Sequence, residues 1–395
     1  MILSKNRQLR AEIIKALYYK KSLSFKALSE FTNKSLPLIT STVHVLVKEG
    51  LLTEQGLAPS TGGRRASTFI LNPARKGYLV ALVVSQLSAR LCIYDLSNNN
   101  ICPTQSITLD ATWPFNLKPL VDFINSCIAT SKIERTCILG VGIGIPRFFD
   151  EGSETSSSVL EVDAVERLSN HLSQKLALPV FLDNDVNLIA LAEMNFGEAM
   201  GIKNVLIINI DWKTGLSMIL DGKIYRGSSG HAGEFSHIPL SKSPTLCSCG
   251  KLSCLEVDTS LQIMVKKALK AIAEGVQTSM RTRFEDKNLT LAEHFLNAVI
   301  RQDPTAIVIF IEAAFQLGRA LATLIHLMNP ERIILSGPGA KAGKILLSPI
   351  QQAINEFYIP RIADQTTILL SKLADQAELL AAGSLIMERS LFDEL

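Results

Sequence analysis

Three cysteines packed into eight residues constrain this chain more than any other feature. Cys247, Cys249 and Cys254 lie in the run HAGEFSHIPLSKSPTLCSCGKLSCLE (residues 231–256), and His237 stands ten residues before the first of them. Three thiolates and one imidazole make a closed tetrahedral set for structural zinc, with no position left open for a reactive water. A Cys-x-Cys pair is too close for an easy disulfide. Buried free thiols are the alternative reading. It suits Cys92, Cys102, Cys127 and Cys137, each in or beside an apolar run, but explains the clustered three poorly. The pattern is not that of a secreted disulfide framework, so the expected compartment is the reducing cytoplasm.

The chain has 395 residues, more than one ordinary domain requires. With 47% hydrophobic and 19% charged residues it is neither disordered, collagen-like nor a coiled coil. No uninterrupted apolar stretch approaches ~18–20 residues, and the N-terminus lacks a signal-peptide pattern, so no membrane association is expected. The net charge of +3 conceals an asymmetry. Residues 1–76 hold thirteen Lys+Arg against four Asp+Glu, a balance of +9, whereas the rest of the chain, with 27 basic and 33 acidic residues, carries −6. A basic head on a mildly acidic body is the footprint of a nucleic-acid-binding module attached to something else; a solvated basic face is the alternative.

Within the head, Leu9, Ile13, Ala16 and Leu17 recur at helical spacing and predict a helix over about 5–20. After a break at 20–22, Ser24 is placed to cap a short helix, FKALSEF, that buries Phe25, Leu28 and Phe31. Following a polar turn at 32–34, Ser35 is placed to cap a third helix running to about Lys48, and Pro37 fits its first turn. Ile39, Val43, Leu46 and Val47 form its apolar stripe; Pro37, Thr40, Ser41, His44 and Lys48 occupy the other face. This is the order of a helix-turn-helix, whose last helix enters the major groove. Two strand-like runs, LLTEQ and STFIL, flank the loop GLAPSTGGRRA and suggest a wing, with Arg64 and Arg65 placed to touch phosphates. A winged-helix protein-interaction module is the competing reading. With the charge asymmetry, DNA contacts are expected from Ser35, Pro37, Thr40, Ser41, His44, Lys48, Arg64 and Arg65.

Beyond residue 77 strands alternate with helices. YLVALVV and LCIYDL read as a hairpin; LKPLVDFINSCIATS is helical, CILGVGIGI a buried strand, VDAVERLSNHLSQKL a helix, and PVFLDND a strand running into the helix NLIALAEMNFG. A second unit begins with NVLIINI and SMILDGKIYRG, passes through the cysteine loop and a helical stretch at about 256–328, and ends on the strand RIILSGPG. The class is α/β.

The pattern Gly-Glu-x-x-His, ten residues to Cys-x-Cys-Gly, then Cys-x-Glu resembles the signature of the ROK family of repressors and sugar kinases. Asp183-Asn184-Asp185-Val186-Asn187 is similar to that family's sugar motif, and MNPERIILSGPG (328–339) to its adenosine-side glycine motif. With the basic head, the chain resembles ROK transcriptional repressors along nearly its whole length. The resemblance implies a winged helix-turn-helix domain over 1–76 and a two-lobed, actin-like body over 77–395. The first lobe would span about 77–190 plus a C-terminal helix, and the second about 191–375. It also implies a sugar site formed by Asn184, Asp185, Glu234, His237 and Glu256, with His237, Cys247, Cys249 and Cys254 on zinc. His237 would then hold the metal through one ring nitrogen and the sugar through the other.

The family's kinases use the carboxylate equivalent to Asp185 as general base, and phosphoryl transfer otherwise depends on positioning and neutralising phosphates. Here Val83-Val84-Ser85-Gln86-Leu87 replaces an Asp-x-Gly turn, and Ile210-Asp211-Trp212-Lys213-Thr214-Gly215 replaces a Gly-Thr-Gly loop. No catalytic residue is therefore expected. Pro146-Arg147 stands where Pro-Gly is usual, residues 151–161 hold no Asn-x-x-Trp-like stretch, and Ser253 replaces a glycine. The expected protein is a sugar-responsive repressor. Its partners would be operator DNA, a sugar or sugar-phosphate effector and a second copy of itself; a sugar kinase with an appended regulatory domain is the alternative.

Overall fold

The computed structural model describes residues 2–57, 66–85, 88–109, 117–146, 148–150, 157–159, 162–286, 289–359, 365–373 and 376–392. The expected DNA contacts Arg64 and Arg65 lie outside the described residues, as do Gln86, Leu87 and Arg147.

The head opens with α1 (Ile2–Lys20), followed by β1 (Leu23–Ser24), α2 (Phe25–Thr32), α3 (Leu36–Lys48), β2 (Leu52–Leu57) and β3 (Ser67–Leu71). Ser24 caps α2 as expected, its side chain accepting from the Ala27 N–H at 3.3 Å. Ser35 occupies the N-cap of α3 but makes no side-chain capping bond, and Pro37 lies in the first turn. The head core is formed by Leu9, Ile13, Leu17, Leu28, Ile39, Val43, Leu46 and Phe69. Phe31 is not part of it. Nearly half exposed, it falls on the outer side of a helix whose buried residues are Leu28 and Thr32. β1 is too short to leave a periodic signal; it pairs antiparallel with β3, giving a three-stranded sheet in the order β1-β3-β2.

The body strands are β4 (Tyr78–Val84), β5 (Ser88–Asp95), β6 (Gln105–Thr108), β7 (Ile138–Ile145), the small hairpin β8 (Phe148–Asp150) and β9 (Ser157–Val159), β10 (Val180–Asn184), β11 (Val205–Ile210), β12 (Thr214–Leu220), β13 (Lys223–Tyr225), β14 (Arg332–Ser336) and β15 (Thr367–Leu370). The helices are α4 (Lys118–Ser131), α5 (Val162–Leu176), α6 (Asp185–Phe196), α7 (Glu256–Thr259), α8 (Leu261–Ala273), α9 (Met280–Arg283), α10 (Leu291–Ile300), α11 (Pro304–Met328), α12 (Lys344–Phe357) and α13 (Ala377–Arg389). The run SMILDGKIYRG is a hairpin, β12 turning into β13, rather than one strand.

Two five-stranded sheets share one strand order, β10-β7-β4-β5-β6 and β13-β12-β11-β14-β15. In each, a leading strand pairs antiparallel with the next and parallel with a later strand: β4 with β5 and β7, β11 with β12 and β14. Contacts divide the chain into two compact units. One comprises Met1–Ile145, Asp163–Asp183 and Leu379–Leu395; the other comprises Pro146–Val162 and Asn184–Glu378.

In the first unit, α13 lies directly on β7. A Cβ at Gly142 would come within 1.7 Å of the Ala382 carbonyl oxygen, so only glycine admits the helix backbone this closely. The head joins this unit through α1. The Tyr18 hydroxyl reaches the Asn98 side chain and lies 3.5 Å from Ser384 Oγ on α13, while Lys15 pairs with Glu388. In the second unit, α11 fills the core with Ala313, Leu317, Ala320, Leu321 and Ile325. By length and composition α11 could cross a membrane, but more than half of its most apolar window is buried in the protein, which accounts for that composition.

Candidate functional site

Two neighbouring constellations lie in the second unit. At the end of β10 the chain turns into α6, with Asn184 as N-cap; its Oδ1 accepts from the Val186 N–H at 3.2 Å, and Asp185 Oδ1 accepts from the same N–H at 2.8 Å. Both side chains sit at a helix N-terminus, where backbone N–H groups lack intrahelical partners. Facing them, Gly233 adopts φ +95°, and a Cβ there would meet the Leu216 carbonyl oxygen at 2.3 Å. The glycine thus holds the Glu234–His237 segment against β12.

A pocket open to solvent results, lined by Asn184, Asp185, Glu234 and His237 from the expected set. Asn209, Lys213, Thr214, Ser236 and Pro146 also line it. Glu256 lies behind the wall: 4% exposed, it accepts the Thr214 N–H through Oε2 at 3.1 Å and so fixes the start of β12, directly after Lys213. Asn209 is 2% exposed, and its Oδ1 has no hydrogen-bond partner among the described residues. Buried polar atoms left in this condition cost free energy unless something fills the site.

The imidazole of His237 joins the two constellations. Its Nδ1 lies 3.6 Å from Cys247 Sγ, and Cys249 Sγ lies 3.6 Å from Cys254 Sγ. The four candidate ligand atoms all fall within 4.8 Å of one another. Tetrahedral zinc with bonds of about 2.3 Å to sulfur and about 2.0 Å to nitrogen needs edges of roughly 3.5–3.8 Å, so the four residues fit that ion. Burial pushes the Cys247 and Cys254 thiols up and the His237 imidazole down, the latter with help from the Lys213 charge. Ser253 adopts φ +61°, which explains why a glycine suits that position; its hydroxyl donates to the Ser243 carbonyl oxygen at 2.9 Å.

On the head, Pro37, Ser41, His44 and Lys48 are exposed along one side of α3, and Thr40 is half-buried beside them. The same surface carries exposed Leu36, Leu38 and Val45. His44 packs edge-on against Phe25, with ring centroids 5.6 Å apart.

Sequence reasoning passed over Asn209 and Ser236 and noted Lys213 only as part of the segment that replaces a Gly-Thr-Gly loop. Nothing local marks these residues as pocket walls, because β11, β12 and the Glu234 loop converge only after folding.

The chain is similar to a xylose repressor of Caldicellulosiruptor bescii, with 24% identity over 96% of this chain and 95% of that protein. It is also similar to a glucokinase of Halalkalibacterium halodurans, with 28% identity over 68% of this chain and 82% of the kinase. Among solved structures, a ROK family transcriptional regulator described as a homologue of the E. coli MLC protein superposes with a TM-score of 0.76 at 24% identity, covering 98% of this chain and 97% of the other. That likeness, with the repeated strand order, gives the two-lobed, actin-like fold of sugar kinases preceded by a helix-turn-helix head. The ROK family model matches residues 91–389, and the chain belongs to the ROK family.

Proposed function

We propose that this protein is a sugar-responsive transcriptional repressor. The observation that carries the reading is the physical continuity between the head and the pocket wall. α13 touches the head through Lys15–Glu388 and Tyr18–Ser384, and at its own C-terminus Arg389 holds Leu182 and Asp183. The next residues in the chain, Asn184 and Asp185, line the cavity. The full-length similarity to a xylose repressor supports the same conclusion.

In this reading a sugar fills the cavity, its hydroxyls donating to Asp185, Glu234 and Asn209. Zinc held by His237, Cys247, Cys249 and Cys254 orients the imidazole, whose remaining nitrogen faces the sugar. α3, with Ser35, Pro37, Thr40, Ser41, His44 and Lys48 on or beside its outer face, enters an operator groove. Arg64 and Arg65 in the wing contact phosphates. The protein works in the cytoplasm as a homodimer, because one short helix reads too few bases. Only a ligand that binds the two states unequally shifts them, so sugar and operator weaken each other reciprocally.

The similarity to a glucokinase raises phosphoryl transfer as a second reading. Against it, Val83 and Val84 are buried in β4, with no carboxylate at the first phosphate turn. At the second turn, Asp211 and Trp212 are anchored to the start of α8 by the Leu261 and Gln262 N–H groups. We infer no kinase activity; sugar-dependent ATP turnover by the pure protein overturns that. Fluorescence anisotropy with operator DNA tests the main reading. A sugar that lowers operator affinity at least tenfold supports it, and no response to any sugar in a broad panel refutes it.

A further inference from the structure

We propose that the pocket's ligand is an anionic sugar, a monosaccharide bearing a phosphate or carboxylate group, with Lys213 as its counter-ion. This rests on the reading of the cavity as a sugar site. A neutral sugar needs carboxylate acceptors and a few mixed donors, and Asp185, Glu234 and Asn209 already meet that need. Two further lining residues go beyond it: Lys213, whose charge acts at the neighbouring His237, and Ser236, only 6% exposed.

Lys213 is not on a loose surface loop. The Thr214 N–H after it is held by Glu256 at 3.1 Å, and Thr214 Oγ1 lies 3.1 Å from Thr259 Oγ1. Before it, the Asp211 and Trp212 carbonyl oxygens accept the Leu261 and Gln262 N–H groups at 3.1 and 3.3 Å. Trp212 packs on the core of this unit. A cation fixed on the cavity wall by a rigid turn is preorganised for an anion, and so loses little ordering free energy on binding. The pocket is therefore divided. Carboxylates on the α6 and Glu234 walls accept hydroxyl protons, while Lys213 and Ser236 donate to an anionic substituent. A lysine that served only to balance Asp185 and Glu234 would give no preference for anionic over neutral sugars.

Calorimetry on the full zinc-loaded chain distinguishes these cases. The probes are glucose, xylose and N-acetylglucosamine; glucose 6-phosphate and N-acetylglucosamine 6-phosphate; and glucuronate. The expected result is that at least one anionic probe binds tenfold or more tighter than its neutral parent, with an advantage that shrinks as salt rises. Phosphate and carboxylate arms then identify the anion. Lys213→Met should cut that anionic-to-neutral ratio at least tenfold, and Lys213→Arg should restore most of it; thermal melts of both variants check folding. A neutral sugar that binds as tightly as its anionic counterpart, or a ratio unchanged in Lys213→Met, overturns the proposal. If no sugar of either kind binds, the sugar-site reading fails, and this proposal with it.

Discussion

The guanidinium of Arg389 lies 2.6 Å from the Asp183 carboxylate and also donates to the Leu182 carbonyl oxygen at 2.8 Å. Asp183 is 6% exposed, while Arg389 keeps a partly wet side chain. Removing the arginine strands a buried carboxylate one residue before the pocket motif. Arg389→Ala is expected to cost about 1–3 kcal/mol, solvent screening keeping it below a fully buried pair. If α13 links pocket and head, the same variant also loses most of the sugar's effect on operator affinity. Chemical denaturation and anisotropy measure the two effects; an unchanged sugar response would remove α13 from the coupling.

The two serines ahead of the head helices predict different costs. Ser24 makes its capping bond to Ala27, so Ser24→Ala should destabilise by about 1 kcal/mol. Ser35 makes no such bond, so Ser35→Ala should cost less than about 0.5 kcal/mol. If Ser35 contacts DNA, its alanine variant weakens operator binding while leaving the urea midpoint nearly unchanged.

Chelation tests the cysteine cluster. One zinc per chain is expected by elemental analysis, and its removal should lower the melting temperature by roughly 10 °C, equivalent to about 3 kcal/mol. Sugar affinity should fall in parallel, because His237 loses the contact that orients it. Unchanged sugar affinity after chelation would separate the two constellations.

Asp303 predicts an acid limb in stability. It caps α11, accepting from the Thr305 and Ala306 N–H groups at 3.1 Å, and takes further bonds from Thr278 and Ser279 at 2.8–2.9 Å. Burial pushes its carboxyl up, but these donors outweigh burial and hold it below its ordinary value of 3.8. Since the folded value is the lower one, the contribution is fully present above about pH 4 and is lost as pH falls through the depressed value. Asp303→Asn should lower stability by about 1 kcal/mol at pH 7 and flatten the decline below pH 4, as read from melts at stepped pH.

Helical periodicity placed α1, α2 and α3, and alternating β-rich runs placed both leading hairpins, because each pattern is written into neighbouring residues. Phe31 breaks the expectation: a helix of two turns offers more apolar positions than the neighbouring helices can cover, and Leu28 takes the interior place. β1, two residues long, has no period to read.

The cysteine cluster was legible for a different reason. Its candidate ligands lie within eighteen residues and their chemistry admits few alternatives, so spacing alone implied a grouping like that found around His237. Asn209, Lys213 and Ser236 carried no such mark, and Arg389 meets Asp183 across 206 residues of chain. The amino-acid order determined the elements, the basic head and the metal-type cluster, since these depend on local spacing and side-chain chemistry. Tertiary packing alone decided which polar groups share one cavity, because such proximity comes from the convergence of distant strands.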